Sequence, residues 1–211
     1  YKRQGLGKDA LVSNTTGSNN TGIGHKSLGG LNAASLTGSN NTATGYQALY
    51  RNKTCYSKVY IGTNTIYDNT TGYRNVAIGH GSLGNNISGY DNIAIGHDTL
   101  KHITDATANT AVGKGALGLS TASNNTGVGY HALNQNTTGT RNTTVGANSL
   151  DANTTGSYNT SLGYASLGAN TIGGENVAVG DAALLSNTEG NKNTAVCLLY
   201  TSPSPRDWTI S

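Results

Sequence analysis

Two histidines seventeen residues apart, His80 and His97, each directly follow a glycine in the strings Ile78-Gly79-His80 and Ile95-Gly96-His97. If that spacing is one turn of a repeating structure, the imidazoles come within about one strand spacing and could share a transition metal. A third ligand is not evident from the spacing, and two rarely make a site. Exposed polar surface is therefore the favoured reading of the pair. Tyr46, Tyr130 and Tyr164 occupy the same position after their own glycines and are candidates for glycan or protein contact, with plain surface filling the simpler alternative. Arg51, Lys53, Cys55, Tyr56, Lys58 and Tyr60 form a basic, aromatic stretch that could receive an acidic glycan, or could be drift in a tolerant repeat.

Other chemistry is missing. The chain has no P-loop, no G-x-S-x-G, no H-E-x-x-H and no paired cysteines, and strings such as Gly22-Ile23-Gly24 belong to a repeat and not to a phosphate cradle. The expectation is a non-enzyme with no cofactor. Calcium-roll chemistry is disfavoured as well, because it needs a recurring Asp that this chain lacks.

Composition points the same way. Of 211 residues 30 are Gly and hydrophobic residues make up 35%, while charged residues make up 11%, well below the share of about 25% in an ordinary domain. No apolar run approaches the roughly 20 residues of a membrane helix, so no membrane contact is expected within these residues.

Both ends read as foreign to the rest. Tyr1-Lys2-Arg3-Gln4 can be encoded by TAT AAG AGA CAG, and Cys197-Leu198-Leu199-Tyr200-Thr201-Ser202 by TGT CTC TTA TAC ACA TCT. Those strings resemble the two strands of the mosaic end used in transposase-based sequencing libraries, and the following Pro203-Ser204-Pro205-Arg206-Asp207 resembles adapter sequence. The expected division is 1–4 and 197–211 as translated adapter and 5–196 as one repeat domain. That domain keeps 10 Lys and Arg against 9 Asp and Glu, so the net charge of +3 becomes +1. Such a balance gives no reason to expect nucleic acid as a partner. Cys55 alone can form no internal disulfide.

The remaining pattern is periodic. The glycine closing each N-T-A-V-G-like run recurs at Gly7, Gly24, Gly45, Gly62, Gly79, Gly96, Gly113, Gly129, Gly146, Gly163 and Gly180. The step is 17 residues except for one of 21 and one of 16, whose differences fall within 29–40 and 119–124. A unit this short cannot bury its own apolar side chains, but stacked copies place like on like and share one continuous core.

Two columns are expected to form that core. One directly precedes the glycine: Ile23, Ile61, Ile78, Ile95, Val112, Val128, Val145, Leu162 and Val179. The other stands four after it: Leu28, Leu49, Leu83, Leu100, Leu117, Leu133, Leu150, Leu167 and Leu184.

Four before the glycine stands Asn from Asn20 to Asn176, with Lys58 the exception, and stacking turns that column into an amide ladder. The small residues two before the glycine, among them Ala43, Ala77, Ala94 and Ala178, suit either close approach of another surface or a tightly wound interior. The fold expected is all-β: a parallel β-solenoid or β-roll of about eleven 17-residue coils. Each has one short strand before the glycine and a second extended segment after it. A helical turn over that second segment is the alternative.

The runs Asn75-Val76-Ala77-Ile78-Gly79-His80-Gly81-Ser82 and Asn92-Ile93-Ala94-Ile95-Gly96 are similar to the head repeats of trimeric autotransporter adhesins, the YadA-like head. The resemblance covers essentially all of 5–196 and extends to repeat arrays of some phage tail fibres and environmental surface proteins. It implies a left-handed β-roll, a homotrimer, an extracellular place on the bacterial cell surface, and a host-surface protein or glycan as partner. A phage tail fibre on the virion is the second functional expectation. Ice binding through recurrent Thr-Thr pairs is a third, and a structural spacer underlies them all.

Overall fold

The computed structural model describes residues 3–29, 36–54, 56–66 and 68–197. Cys55, part of the 21-residue step, and all but the first residue of the segment 197–211 lie outside the described residues. No helix occurs among those described.

Twelve strands form one parallel sheet in chain order. They are β1 (Arg3–Leu6), β2 (Asn20–Ile23), β3 (Asn41–Thr44), β5 (Lys58–Ile61), β7 (Val76–Ile78), β8 (Ile93–Ile95), β9 (Thr110–Val112), β10 (Thr126–Val128), β11 (Thr143–Val145), β12 (Thr160–Leu162), β13 (Val177–Val179) and β14 (Thr194–Val196). The two remaining strands, β4 (Arg51–Asn52) and β6 (Asp68–Asn69), pair with each other. Each main strand is the N-T-A-V segment of one repeat, so the molecule is a parallel β-solenoid with about one strand per 17 residues. At strand spacing near 4.8 Å the sheet is on the order of 50 Å long.

Register follows the repeat even where its length changes. Thr126 pairs with Thr143 across a 17-residue step, Thr110 with Thr126 across the 16-residue step, and Thr21 with Thr42 across the 21-residue step. Strand pairing is kept across both irregular steps, so their differences in length lie between the strands.

The segment after each glycine is neither the second strand nor the helical turn expected from sequence. It is a run of tight turns in which the residues two and four past the glycine take left-handed backbone conformations, as at His131 (φ 51°) and Leu133 (φ 53°). Leucine has no intrinsic liking for that region, which costs an L-residue about 1–2 kcal/mol. Burying the side chain returns roughly 1.5–3 kcal/mol, and the Leu133 N–H donates to the Ser149 carbonyl of the next coil at 3.0 Å. The two effects together hold the turn.

The Leu column is the core: Leu28, Leu49, Leu83, Leu100, Leu117, Leu133, Leu150 and Leu167 are buried, and Leu184 packs against them partly buried. The other expected core column is corrected. Ile23, Ile61, Val145 and Leu162 are exposed, Ile61 by 43% and Leu162 by 47%, and Ile78, Ile95, Val112, Val128 and Val179 are only half-buried. These side chains stand on the outer face of the sheet. Strand alternation puts the residue two before the glycine inside instead, and Ala43, Ala77, Ala94, Ala111 and Ala178 are fully buried there.

Away from β5, where Tyr60 takes this inward place, the interior has little room for a larger side chain. A Cβ added to Gly127 would already lie 3.2 Å from the Ala132 carbonyl oxygen and 3.4 Å from Cγ of Leu117. The small column therefore lines a tightly wound interior and not an approach to another surface.

Two amide ladders run through the stack. The backbone N–H groups of Asn92, Asn109, Asn125, Asn142, Asn159 and Asn176 each donate to Oδ1 of the Asn one coil earlier, at 2.9–3.0 Å. A second ladder comes from the Asn of the Asn-Thr-Thr-Gly turns and their equivalents. Nδ2 of Asn153 donates to Oδ1 of Asn136 at 2.8 Å, and Asn170 donates likewise to Asn153 at 3.0 Å. The ladders thus pair the buried amides that form them with one another.

Candidate functional site

The turn after each glycine presents its first residue outward, so the variable column from Lys8 to Asp181 becomes a line of side chains along one edge of the solenoid. Tyr46, Tyr130 and Tyr164 are exposed in it. Neighbours in the column stack where they are aromatic: His25 on Tyr46 with centroids 5.6 Å apart, and His80 on His97 at 5.0 Å. Lys114 places its ammonium 5.9 Å from the Tyr130 ring centroid. Tyr130 and Tyr164 are separated by the coil carrying Ala147, hence by about 10 Å.

A second aromatic line lies at the turn before the strand. Tyr73 stacks on Tyr90 at 4.8 Å with the Arg74 guanidinium over the Tyr73 ring, and Arg74 Nη2 donates to Asp91 Oδ2 at 2.6 Å. That hydrogen bond, with the guanidinium charge, holds the Asp91 carboxyl below its ordinary range. Further along, Arg141 Nη1 donates to the Tyr158 hydroxyl at 2.6 Å. Spacing did not single out this line.

The histidine pair gains a neighbour. Asp98 takes a left-handed conformation (φ 52°) and its carboxylate stands beside both imidazoles, with Oδ2 2.9 Å from His97 Nδ1 and Oδ1 3.1 Å from Lys101 Nζ. Burial alone would raise the Asp98 carboxyl, but the hydrogen bond and charge of Lys101, followed by the charges of His97 and His80, hold it below the ordinary value. Room for it comes from Gly81, since a Cβ there would sit 2.6 Å from Asp98 Oδ1. Ligand atoms of His80, His97 and Asp98 all lie within 4.8 Å of one another.

Next to this cluster is an open notch of about 200 Å³, bordered by His97, Asp98, Lys101, Lys114 and His131 over Gly115 and Gly118. The glycine at 115 makes the notch, because it replaces the side chains that Asp98 and His131 carry at the same position of the flanking coils.

The basic stretch is divided by the fold. Arg51, Lys53 and Tyr56 are exposed, whereas Lys58 and Tyr60 are buried inside the solenoid, with the Lys58 ammonium 5.8 Å from the Tyr60 ring centroid. Alternation dictates this, since Lys58 fills the Asn column and Tyr60 the inward Ala column. A continuous basic bump including those two residues is therefore corrected.

The turn threonines are engaged within the stack. Thr137, Thr154 and Thr171 donate their hydroxyls to the carbonyls of Thr154, Thr171 and Thr188 at 2.9–3.0 Å, which weakens the case for a water-ordering array in those turns.

Among the described residues no helix is long and apolar enough to cross a membrane. No family model, no curated protein and no solved structure matches this chain.

Proposed function

We propose that this chain is a non-catalytic segment of an extracellular fibre, an adhesin head of the bacterial cell surface. In this reading it assembles as a homo-oligomer through its outer sheet face and binds host, matrix or glycan surfaces along its exposed aromatic edge. A homotrimer is the state that the repeat resemblance implies.

The observation that carries the reading is the aliphatic column from Leu6 through Ile23, Ile61, Val145 and Leu162 to Val196, exposed on an uncharged sheet face. A stripe of that length rimmed by polar turns is unusual on a monomer and suits association. An identical copy fits it best, because only another stack with the same repeat keeps pace with it along its length. The aromatic edge leaves Tyr46, Tyr130 and Tyr164 available for stacking on sugar rings or protein, the use to which exposed aromatics are best suited.

Binding of the assembled protein to glycan arrays, to matrix-coated surfaces and to bacterial envelope polysaccharide tests the reading. Saturable binding to host or matrix ligands, reduced in a Tyr46→Ala, Tyr130→Ala, Tyr164→Ala variant, is expected. Binding confined to bacterial envelope polysaccharide would replace the adhesin with a phage tail fibre. No binding by assembled material would leave only a spacer.

A further inference from the structure

We propose that His80, His97 and Asp98 form a binding site for a first-row divalent metal ion of the zinc or copper type, clipping two adjacent coils together. Two imidazoles and one carboxylate are the donor set that zinc and its neighbours in the series prefer, whereas calcium and magnesium take oxygen ligands.

The geometry is close to what a metal needs. Bonds of about 2.1 Å to one nitrogen and one oxygen put those atoms roughly 3 Å apart at the right angles of copper and about 3.4 Å apart at the tetrahedral angle of zinc, and His97 Nδ1 and Asp98 Oδ2, at 2.9 Å, need little or no separation to reach either. Lys101 occupies the other carboxylate oxygen, Oδ1, so Oδ2 can turn to a metal while the ammonium stays in place. His80 completes the set from the neighbouring coil. Its ring is stacked on His97 with an interplanar angle of 21°, so it has to swing inward from the stack to aim a nitrogen at the shared point. His80 and His97 are both exposed, and nothing in a packed core opposes that rotation.

Two features of the fold make the site specific to this place. Strand stacking sets the two imidazoles on successive coils, and Gly81 leaves the space that lets Asp98 lean toward the His80 coil. At the other stacked pair of this edge, His25 and Tyr46, no such cluster of three donors forms among the described residues. His97 and Asp98 also border the notch, so the remaining coordination positions open toward it.

Calorimetric titration of the untagged full chain with Zn²⁺, and electron paramagnetic resonance with Cu²⁺, test the site. The expected result is one saturable site per chain with micromolar affinity. His80→Ala, His97→Ala and Asp98→Asn should each weaken it by about tenfold or more. The combined variant His25→Ala, His102→Ala, His131→Ala should bind as the parent does. Bound Cu²⁺ should carry two imidazole nitrogens, and one in either single-histidine variant. Circular dichroism identical to the parent's excludes unfolding as the cause of any loss. Absence of saturable uptake, uptake that survives His80→Ala, or uptake lost only in the combined variant would overturn the proposal. None of those outcomes bears on adhesion, which is read by a separate assay.

Discussion

The Asn142 backbone N–H donates to Oδ1 of Asn125, seventeen residues earlier, at 3.0 Å. Asn142 passes the arrangement on, since its own Oδ1 accepts from Asn159 N–H at 3.0 Å and its Nδ2 donates to the Gly156 carbonyl at 2.9 Å. Each coil thereby fixes the next in both sequence register and height. Replacing Asn142 by Ala leaves the Asn159 N–H and the Gly156 carbonyl without that partner in a buried place. A loss of about 2–5 kcal/mol is expected from two unmade hydrogen bonds, read as a lower midpoint in chemical denaturation. A change under about 0.5 kcal/mol would mean that the ladder does not support the stack.

Ile66 stands in the Leu column, fully buried, with a φ of 44°. A β-branched side chain is poorly tolerated in the left-handed region, whereas the coils on either side carry Leu49 and Leu83 at the same place. Ile66→Leu should therefore stabilise the protein by up to about 1 kcal/mol, visible as a raised denaturation midpoint. A lowered midpoint would show that local packing, and not backbone strain, governs the position.

Gly96 has a φ of 141°, and a Cβ there would lie 2.5 Å from the Gly113 carbonyl oxygen and 2.7 Å from its carbonyl carbon. Both the conformation and the close stacking of one such glycine on the next forbid a side chain. Gly96→Ala is expected to cost about 3 kcal/mol or more, or to abolish folding of the coils around it. Hydrogen exchange should show protection lost first in β8 and β9. Parent-like exchange in the variant would contradict the stacking described.

Burial raises the Asp151 carboxyl above its ordinary value, against the lowering effect of its own and the Ala152 backbone N–H groups and of His131. A carboxyl whose folded value is raised carries its penalty when ionised, so the penalty is full above the folded value. It disappears as the pH falls below the unfolded one near 3.9. Asp151→Asn should thus raise the thermal midpoint at neutral pH, with the advantage shrinking through the acidic carboxylate range. An advantage that stays constant down to pH 3 would point to a cause other than ionisation.

The period, the strand and the Leu column are legible in the residues because each depends only on spacing and side-chain type. The direction of the strand is not. Alternation allows either Ile78 or Ala77 to face inward, and hydrophobicity favours the isoleucine. Away from Tyr60 the interior instead selects by size, with the Leu of the previous coil and the carbonyl three past the glycine already filling the space. The turns were obscured for a related reason, since nothing about leucine announces a left-handed backbone; only the stack imposes it. Asp98 was missed as a companion of the histidines because its carboxylate reaches them through such a turn and through the space at Gly81. Its place in the chain gives no hint of either.

The outer aliphatic face is the feature on which the functional reading rests, and sedimentation equilibrium measures its consequence directly. The parent chain should sediment as a homo-oligomer, with three copies the number expected. A variant carrying Ile95→Lys, Val128→Lys and Val145→Lys on that face should sediment as a monomer with an unchanged circular dichroism spectrum. A monomeric parent, or a variant that remains oligomeric, would contradict the account.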